Sequence, residues 1–363
     1  MKKIRIAMIM NDFNMNGISM VVLNYCRHID RNKFDVTIIT GAPVAQLNAD
    51  ECEHLGIDVK VLPSRKESSV KFYLALFKEI SRKKYDIVHV HGNSAMITPE
   101  LFISFVKRVN VRIAHSHNST CDHMKMHKLL LPFFNMFHNH GFACSSLAGN
   151  WLFKNGRFDV IPNGFDVERF RFNPEMRNEI RRKLGLEDKF IIGHIGRFNN
   201  QKNHPFLLDV FEKAAAMNKN IYLVLVGNGP DYDKVNALID KHPYKERIIL
   251  YGETSCTEEI YNAMDVFVFP SKYEGLGIVL LEAQICGLPC VTSDVVPPEA
   301  IISENTVALP LDAGASEWSG RILTMCENNR EEVYARNFDT IQKYNIIKNV
   351  RYLEDIYSSL VKS

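Results

Sequence analysis

Val266-Phe267-Val268-Phe269-Pro270-Ser271-Lys272-Tyr273-Glu274-Gly275-Leu276-Gly277-Ile278-Val279-Leu280-Leu281-Glu282-Ala283 reads as one strand–loop–helix unit. Residues 266–269 have the length and the β-branched and aromatic make-up of a buried parallel strand. A loop then carries Glu274, and a helix is expected to start near Gly275–Gly277, with Glu282 two turns inside. The first helical amides are unsatisfied donors at the positive end of the helix dipole, and glycines let a ligand's phosphate or hydroxyl approach them. Glu274 sits where the strand delivers it, ready to accept hydrogen bonds from a polyhydroxyl ligand. Glu282 lies among Ile278, Val279, Leu280, Leu281 and Ile285, where a carboxylate is costly unless paired. A vicinal diol such as a ribose is the partner expected for it. The plainer alternatives are a surface loop acid and an exposed helical acid; the apolar setting weighs against them.

The same alternation extends in both directions. Ile4–Met10, Val36–Thr40, Ile87–Val90, Val111–Ala114 and Val160-Ile161 read as buried strands, with helical spacing in Ile18–Ile29, Val70–Ile80 and Pro99–Val106. The second half repeats the plan with strands at Phe190–Ile195, Tyr222–Val226, Ile248–Tyr251, Val266–Phe269 and Pro289–Thr292. Its helices include Pro205–Ala216, Asp231–Ile239 and Gly277–Cys286. This predicts an α/β protein of two doubly wound, Rossmann-like sheets. Turn chemistry at Pro162-Asn163-Gly164, followed by the charged, poorly periodic Asp166–Arg181, places the boundary near 165. The expected domains are therefore 1–165 and 166–343. A stripe of Ile347, Val350, Leu353, Ile356, Tyr357 and Leu360 predicts a terminal helix over 344–363 that must bury one face. Two open sheets on one linker are expected to leave a cleft, with ligands at the strand carboxyl ends.

Composition sets the outer limits. The 363 residues, 46% hydrophobic and 24% charged, suit two soluble globular domains at about 150 residues each and exclude disorder. No run approaches the ~18 apolar residues of a membrane helix. The start Met1-Lys2-Lys3-Ile4-Arg5 lacks the apolar stretch and cleavage site of a signal peptide. Eight cysteines without paired spacing fit a reducing compartment, so the chain is expected in the cytoplasm. The net charge of +2 hides an asymmetry: residues 1–165 hold 21 Lys/Arg against 13 Asp/Glu, and the remainder 23 against 29. A basic first half points to an anionic partner, membrane headgroups or a phosphorylated acceptor among them, unless it is ordinary surface fluctuation.

Arg197 and Lys202 follow Phe190–Ile195 at its carboxyl end, with Gly196 leaving room for the backbone. Two cations so spaced across a strand-to-helix loop can bracket a diphosphate, Arg by its planar fork and Lys as a point charge. Standing alone they would be solvated cations; a cation opposing a helix dipole argues for a compensating anion. The His-x-His pairs at 89/91, 115/117 and 138/140 read as strand ends and loops, and no metal site is expected. Segment 125–142 mixes Met124, Met126, Leu129, Phe133, Phe134, Met136 and Phe137 with Lys125 and Lys128. It reads either as a helix laid on an anionic membrane or, as Pro132 and the needs of the sheet favour, as a buried amphipathic helix. No basic, aromatic-interleaved module for nucleic acid is present.

Glu274 and Glu282 together resemble the E-x7-E motif of the retaining nucleotide-sugar glycosyltransferases of family 4, which adopt the GT-B fold. Ala263–Ser271, Cys286-Gly287-Leu288-Pro289-Cys290-Val291, Ile161-Pro162-Asn163-Gly164-Phe165-Asp166 and Gly193-His194-Ile195-Gly196-Arg197 through Asn203 fit the same family, in family order over about residues 5–310. The resemblance implies that Arg197 and Lys202 neutralise a departing nucleoside diphosphate without a bound metal or other cofactor. It implies Glu274 on the sugar, Glu282 on the ribose, and amides of Gly275, Leu276 and Gly277 nearby. In Asn11–Ser19, Gly17 resembles the glycine that approaches donor phosphate and acceptor; Asn16 stands where many members have a second glycine. His117 resembles the histidine beside the reacting carbon, able to donate to a sugar hydroxyl, hold the pose or shuttle a proton. His91 is placed outside direct contact, and Ser145 is expected to cap the following helix.

The resulting expectation is a metal-independent, retaining transferase that moves a sugar from a nucleotide-sugar, UDP favoured over GDP by family frequency, to a hydroxyl acceptor. A glycan or lipid-linked acceptor in capsular, exopolysaccharide or other surface-glycan synthesis is implied, with the acceptor on the basic domain and peripheral contact with an anionic membrane at its inner face. The terminal helix is expected to pack back on the first domain. A GT-B epimerase would need a different His/Asp/Glu set, and a phosphorylase a lysine-anchored pyridoxal phosphate in a much longer chain. A non-catalytic scaffold would be expected to lose one of Arg197, Lys202, Glu274 or Glu282, and all four are present.

Overall fold

The apolar runs become two parallel sheets. The computed structural model describes residues 3–14, 17–41, 44–154, 156–325 and 329–362, so Met15, Asn16 and Cys326 lie outside it. The chain divides into two units, residues 1–165 with 343–363, and residues 166–342.

The first unit holds β1 (Ile4–Met10), β2 (Phe34–Thr40), β3 (Asp58–Val61), β4 (Ile87–Gly92), β5 (Val111–Ser116), β6 (His140–Ala143) and β7 (Asp159–Val160). They lie in the order β3-β2-β1-β4-β5-β6-β7, every neighbouring pair parallel. The second unit holds β8 (Phe190–Ile195), β9 (Ile221–Val226), β10 (Ile248–Gly252), β11 (Val266–Phe269), β12 (Cys290–Ser293) and β13 (Thr306–Leu309), in the order β10-β9-β8-β11-β12-β13. Each sheet is packed on both faces, which is why apolar residues dominate its central strands. In each sheet the winding reverses once, between β1 and β4 and between β8 and β11. At such switch points the loops beyond the strand carboxyl ends diverge and leave room for a ligand.

Three departures from the sequence reading have physical reasons. The edge strands β3 and β13 are only partly buried and carry Asp58, Lys60 and Thr306, so no apolar run announces them. Segment 166–181 is not merely a charged linker, since helix Pro174–Leu184 runs through its end, capped by the Asn173 side chain, which accepts from the Met176 amide. Its charge serves packing: Arg177 and Arg181 both reach Asp265, just ahead of β11. Strands β4 and β5 each run two residues further than their apolar cores, which takes His91 and His115 into the ladder.

Helix Ile346–Lys362 belongs to the first unit, against helix Gly17–His28. Val350, Leu353 and Tyr357 of its stripe are buried, Tyr357 edge-on to Phe34 at 6.1 Å between ring centres. Ile347, by contrast, is exposed. Helix Met124–Phe137 is amphipathic: His127, Phe134 and Phe137 are buried and Leu130 and Leu131 pack partly against the core, while Met126, Leu129, Phe133 and Met136 are exposed. Ser145 caps helix Ser146–Phe153, accepting from the Ala148 amide at 3.1 Å. Among the described residues no helix is long and apolar enough to cross a membrane.

Candidate functional site

In the second unit, the loops leaving β8 and β11 run side by side because those strands are hydrogen-bonded neighbours, Ile192 opposite Val266. They are laced together. The Lys272 amide donates to Gln201 O at 2.8 Å, Gln201 Nε2 to Tyr273 O at 2.9 Å, and Lys272 Nζ to Asn200 Oδ1 at 2.6 Å. At the centre Lys202 Nζ donates to Glu274 Oε1 at 2.6 Å, with side chains only 14% and 7% exposed. Lys202 also stands over the Phe269 ring, 4.5 Å from its centre. The Asn199 side chain accepts from the Lys202 amide at 3.2 Å and holds the short turn Asn200–Lys202 that aims the lysine. Arg197, by contrast, is exposed and makes no ion pair among the described residues. A buried, hydrogen-bonded ion pair beside a free guanidinium can offer a sugar a carboxylate acceptor and a phosphate two cations.

Helix Ile278–Ile285 begins later than expected. Gly277 has φ +83°, a left-handed conformation that ends the loop and cannot be helical, so it serves as the N-cap. Gly275 and Leu276 therefore belong to the loop, and Glu282 stands just over one turn inside, not two. The Leu280 and Leu281 amides already donate to Gly277 O, and the Ile278 and Val279 amides ahead of them have no acceptor within the helix. Gly227 after β9 also has positive φ, and a Cβ there would lie 2.2 Å from Gly196 O, so the two backbones meet at the base of the Arg197 loop.

Glu282 is half-buried, and burial pushes its carboxyl up to about 7, against the lowering effect of the Tyr261 hydroxyl and the Arg169 guanidinium. The Tyr261 hydroxyl lies 2.9 Å from Glu282 Oε2 and 3.0 Å from the Val279 carbonyl. One phenolic proton serves one of them at a time; a protonated Glu282 supplies the second. A carboxyl raised above its unfolded value of 4.5 leaves the native state less stable as pH rises from about 4.5 through 7, and the loss is complete above that. Glu282→Gln, which stays neutral, is expected to gain on the wild type over that window by on the order of 2 kcal/mol. Melting curves from pH 5 to pH 8 check this; a constant difference between the two proteins would refute it.

In the first unit, Gly17 opens helix Gly17–His28 beyond the carboxyl end of β1 and is exposed; its expected companion Asn16 lies outside the described residues. His117 follows β5 directly, half-buried, its amide donating to Gly92 O at 3.1 Å. Read singly, the His-x-His pairs were strand ends. The register instead sets His91 beside His115, and four imidazoles from two strands fall on one face. His89 stacks on His91 and His115 on His117, each at 4.1 Å between ring centres. Ring nitrogens of His89, His91 and His115 lie within 4.8 Å of one another, a grouping the spacing along the chain did not suggest. The signal was available: two such pairs on strands adjacent in the sheet. Burial drives all four below the ordinary histidine range, His117 to about 3, so the set is neutral at pH 7.

Comparison with known proteins bears on the family and the fold. Residues 176–353 match the model for glycosyl transferases group 1, and residues 15–169 that for glycosyltransferase family 4. EpsF of Bacillus subtilis, which carries a provisional glycosyltransferase name, is 29% identical over 98% of this chain and 96% of its own. The UDP-Gal:alpha-D-GlcNAc-diphosphoundecaprenol alpha-1,3-galactosyltransferase of Escherichia coli is 25% identical over 99% and 98%. The crystal structure of Anabaena Alr3699/HepE in complex with UDP-glucose superposes with a TM-score of 0.82 over 98% of this chain and 99% of that one, at 18% identity, a likeness of fold. Matched from residue 15 to residue 353 in family order, with two doubly wound parallel sheets, the chain belongs to the family 4-type glycosyltransferases of GT-B fold.

Proposed function

We propose that this glycosyltransferase moves a sugar from a UDP-sugar to a hydroxyl acceptor with retention at the anomeric carbon, in the synthesis of a capsular or other surface polysaccharide. The observation that carries the reading is the Lys202–Glu274 pair at the switch point of the second sheet, with Arg197 exposed on the same loop as Lys202. In this reading Glu274 accepts from sugar hydroxyls, Lys202 and Arg197 meet the charge growing on the diphosphate, and the helix amides near Gly277 add to them. Glu282 takes the ribose diol. Preorganised charge of this kind is the largest contribution available to a reaction whose leaving group is an anion. No resident metal is assigned a role. Gly17 and His117 of the first unit are the acceptor-side residues. The galactosyltransferase named above has a diphosphoundecaprenol-linked substrate, which supports a lipid-linked acceptor here.

The test is a panel of nucleotides and UDP-sugars followed by melting temperature, then transfer or slow hydrolysis in EDTA, with the product anomer read by NMR. Stabilisation by UDP and an α-linked product from an α-linked donor support the reading. Binding without turnover of any donor would favour a scaffold, and a changed sugar stereocentre on the intact nucleotide would favour an epimerase.

The exposed apolar face of helix Met124–Phe137 supports contact with an anionic bilayer. Met126, Leu129, Phe133 and Met136 stand beside exposed Lys125 and Lys128, and Phe102 and Phe105 of the packed helix Thr98–Val106 are exposed as well. Co-sedimentation with phosphatidylglycerol vesicles is expected, and is expected to be lost in Leu129→Glu/Phe133→Glu; equal binding by both proteins would refute it.

A further inference from the structure

The four-histidine stack poses a proton-counting problem with a definite answer at one end. His91 Nδ1 and His117 Nε2 lie 3.0 Å apart, so one donates to the other. The second nitrogen of His91, Nε2, is buried and has no hydrogen-bond partner among the described residues. If His117 Nε2 carried the shared proton, His91 would have to carry its own on Nε2, as a buried N–H with nothing to donate to. Such orphan donors are rare and cost about 1–3 kcal/mol, more than a bare lone pair in the same place. The other arrangement leaves only a lone pair there: His91 donates from Nδ1, His117 accepts at Nε2, and the His117 proton sits on its other ring nitrogen, Nδ1.

The branch through Tyr357 behaves differently. Tyr357 Oη, His89 Nδ1, His89 Nε2 and His115 Nδ1 form a chain with links of 2.6 and 3.0 Å. Either direction leaves one unmatched proton, on Tyr357 Oη or on His115 Nε2, so counting does not orient it. It does brace the stack, because His115 lies against the His117 ring and His89 against that of His91. No carboxylate contributes to the shift of any of the four histidines, so an ion among them would be buried without a counter-charge.

We propose that His91 is a positioning residue that fixes His117 as its Nδ1–H tautomer, so that His117 meets a substrate oxygen as a hydrogen-bond donor and not as a base. The tautomer stands on the geometry of the first unit alone; its use on a substrate rests on the transferase reading above. Of the three roles open to His117, donation, pose-holding and proton shuttling, this keeps the first two and removes the third.

The experiment is long-range ¹H–¹⁵N NMR on the full chain labelled at histidine, with His117 assigned by its loss in His117→Asn. A protonated His117 Nδ1 with a bare Nε2, and a bare His91 Nε2, are expected. A bare His117 Nδ1, a doubly protonated ring, or stoichiometric metal retained by the purified protein would overturn the proposal. In kinetics, His91→Phe is expected to lower kcat about tenfold, the worth of one hydrogen bond, with little change in donor KM. His91→Asn, whose amide nitrogen stands in for Nδ1, is expected to restore most of the loss. Equal losses in both variants would overturn the positioning role. Absence of any turnover in the wild type would instead count against the transferase reading, while the NMR result would still decide the tautomer.

Discussion

Glu274→Gln and Lys202→Ala are each expected to lower transfer by about 10³-fold, with the fold retained. Both residues project from loops whose course is set by neighbouring strands, and four hydrogen bonds lace those loops together, the Lys202–Glu274 pair among them. Removing either charge takes away a group already held in place, at a site where few waters can substitute for it. Glu274→Gln keeps the shape and one acceptor but loses the charge that pairs with Lys202. Lys202→Ala removes a cation from the diphosphate and leaves the Glu274 carboxylate without its ammonium. Because the two act through one contact, the double variant is expected to be little worse than either single one. Steady-state rates with circular dichroism as a fold control are the measurement. Rates within tenfold of the wild type in both single variants would remove these residues from the mechanism.

The largest effect on stability is expected at Asp265, far from any proposed chemistry. Its carboxylate, in a side chain only 4% exposed, receives Arg177, Arg181 and the Ile191 amide, the last at 2.6 Å. It therefore ties helix Pro174–Leu184 to the starts of both β8 and β11. Asp265→Ala leaves the buried Arg181 and the half-buried Arg177 guanidinium groups without their anion, and breaking such a buried pair typically costs about 3–5 kcal/mol. A drop of roughly 10 °C in the melting temperature follows for a unit of this size. Glu179→Ala on the outer face of the same helix provides the contrast. Its partner Lys183 lies at 2.6 Å, but both side chains are about 60% exposed, and no resolvable shift in melting temperature is expected. Similar melting temperatures for the two variants would refute the argument.

Asp265 also shows what could be read from the chain and what could not. The central strands were legible because burial on both faces favours mostly apolar runs; Val266–Phe269 and Phe190–Ile195 have the bounds their sequence suggests. Helix Pro174–Leu184 was hidden because its inward residues include Arg181, buried by a partner 84 positions away. Lys202 and Glu274 were recognisable as chemistry, each at a strand end. Their contact, across 72 positions, depends on β8 and β11 being neighbours, which strand order decides and local pattern does not. The histidine stack was missed for the same reason. Each pair looks ordinary until β4 and β5 are placed side by side.

Helix Ile346–Lys362 carries a consequence for how the protein is made. A ribosome delivers it only after every residue of the second unit, yet in the first unit its Tyr357 packs on Phe34 and bonds His89, and its Val350 and Leu353 are buried. At about 5–20 residues per second, nascent residues 1–165 wait on the order of ten seconds or more with one flank uncovered. The second unit, contiguous from 166 to 342, meets no such delay. The unit whose chain emerges first is thus the one that finishes folding last.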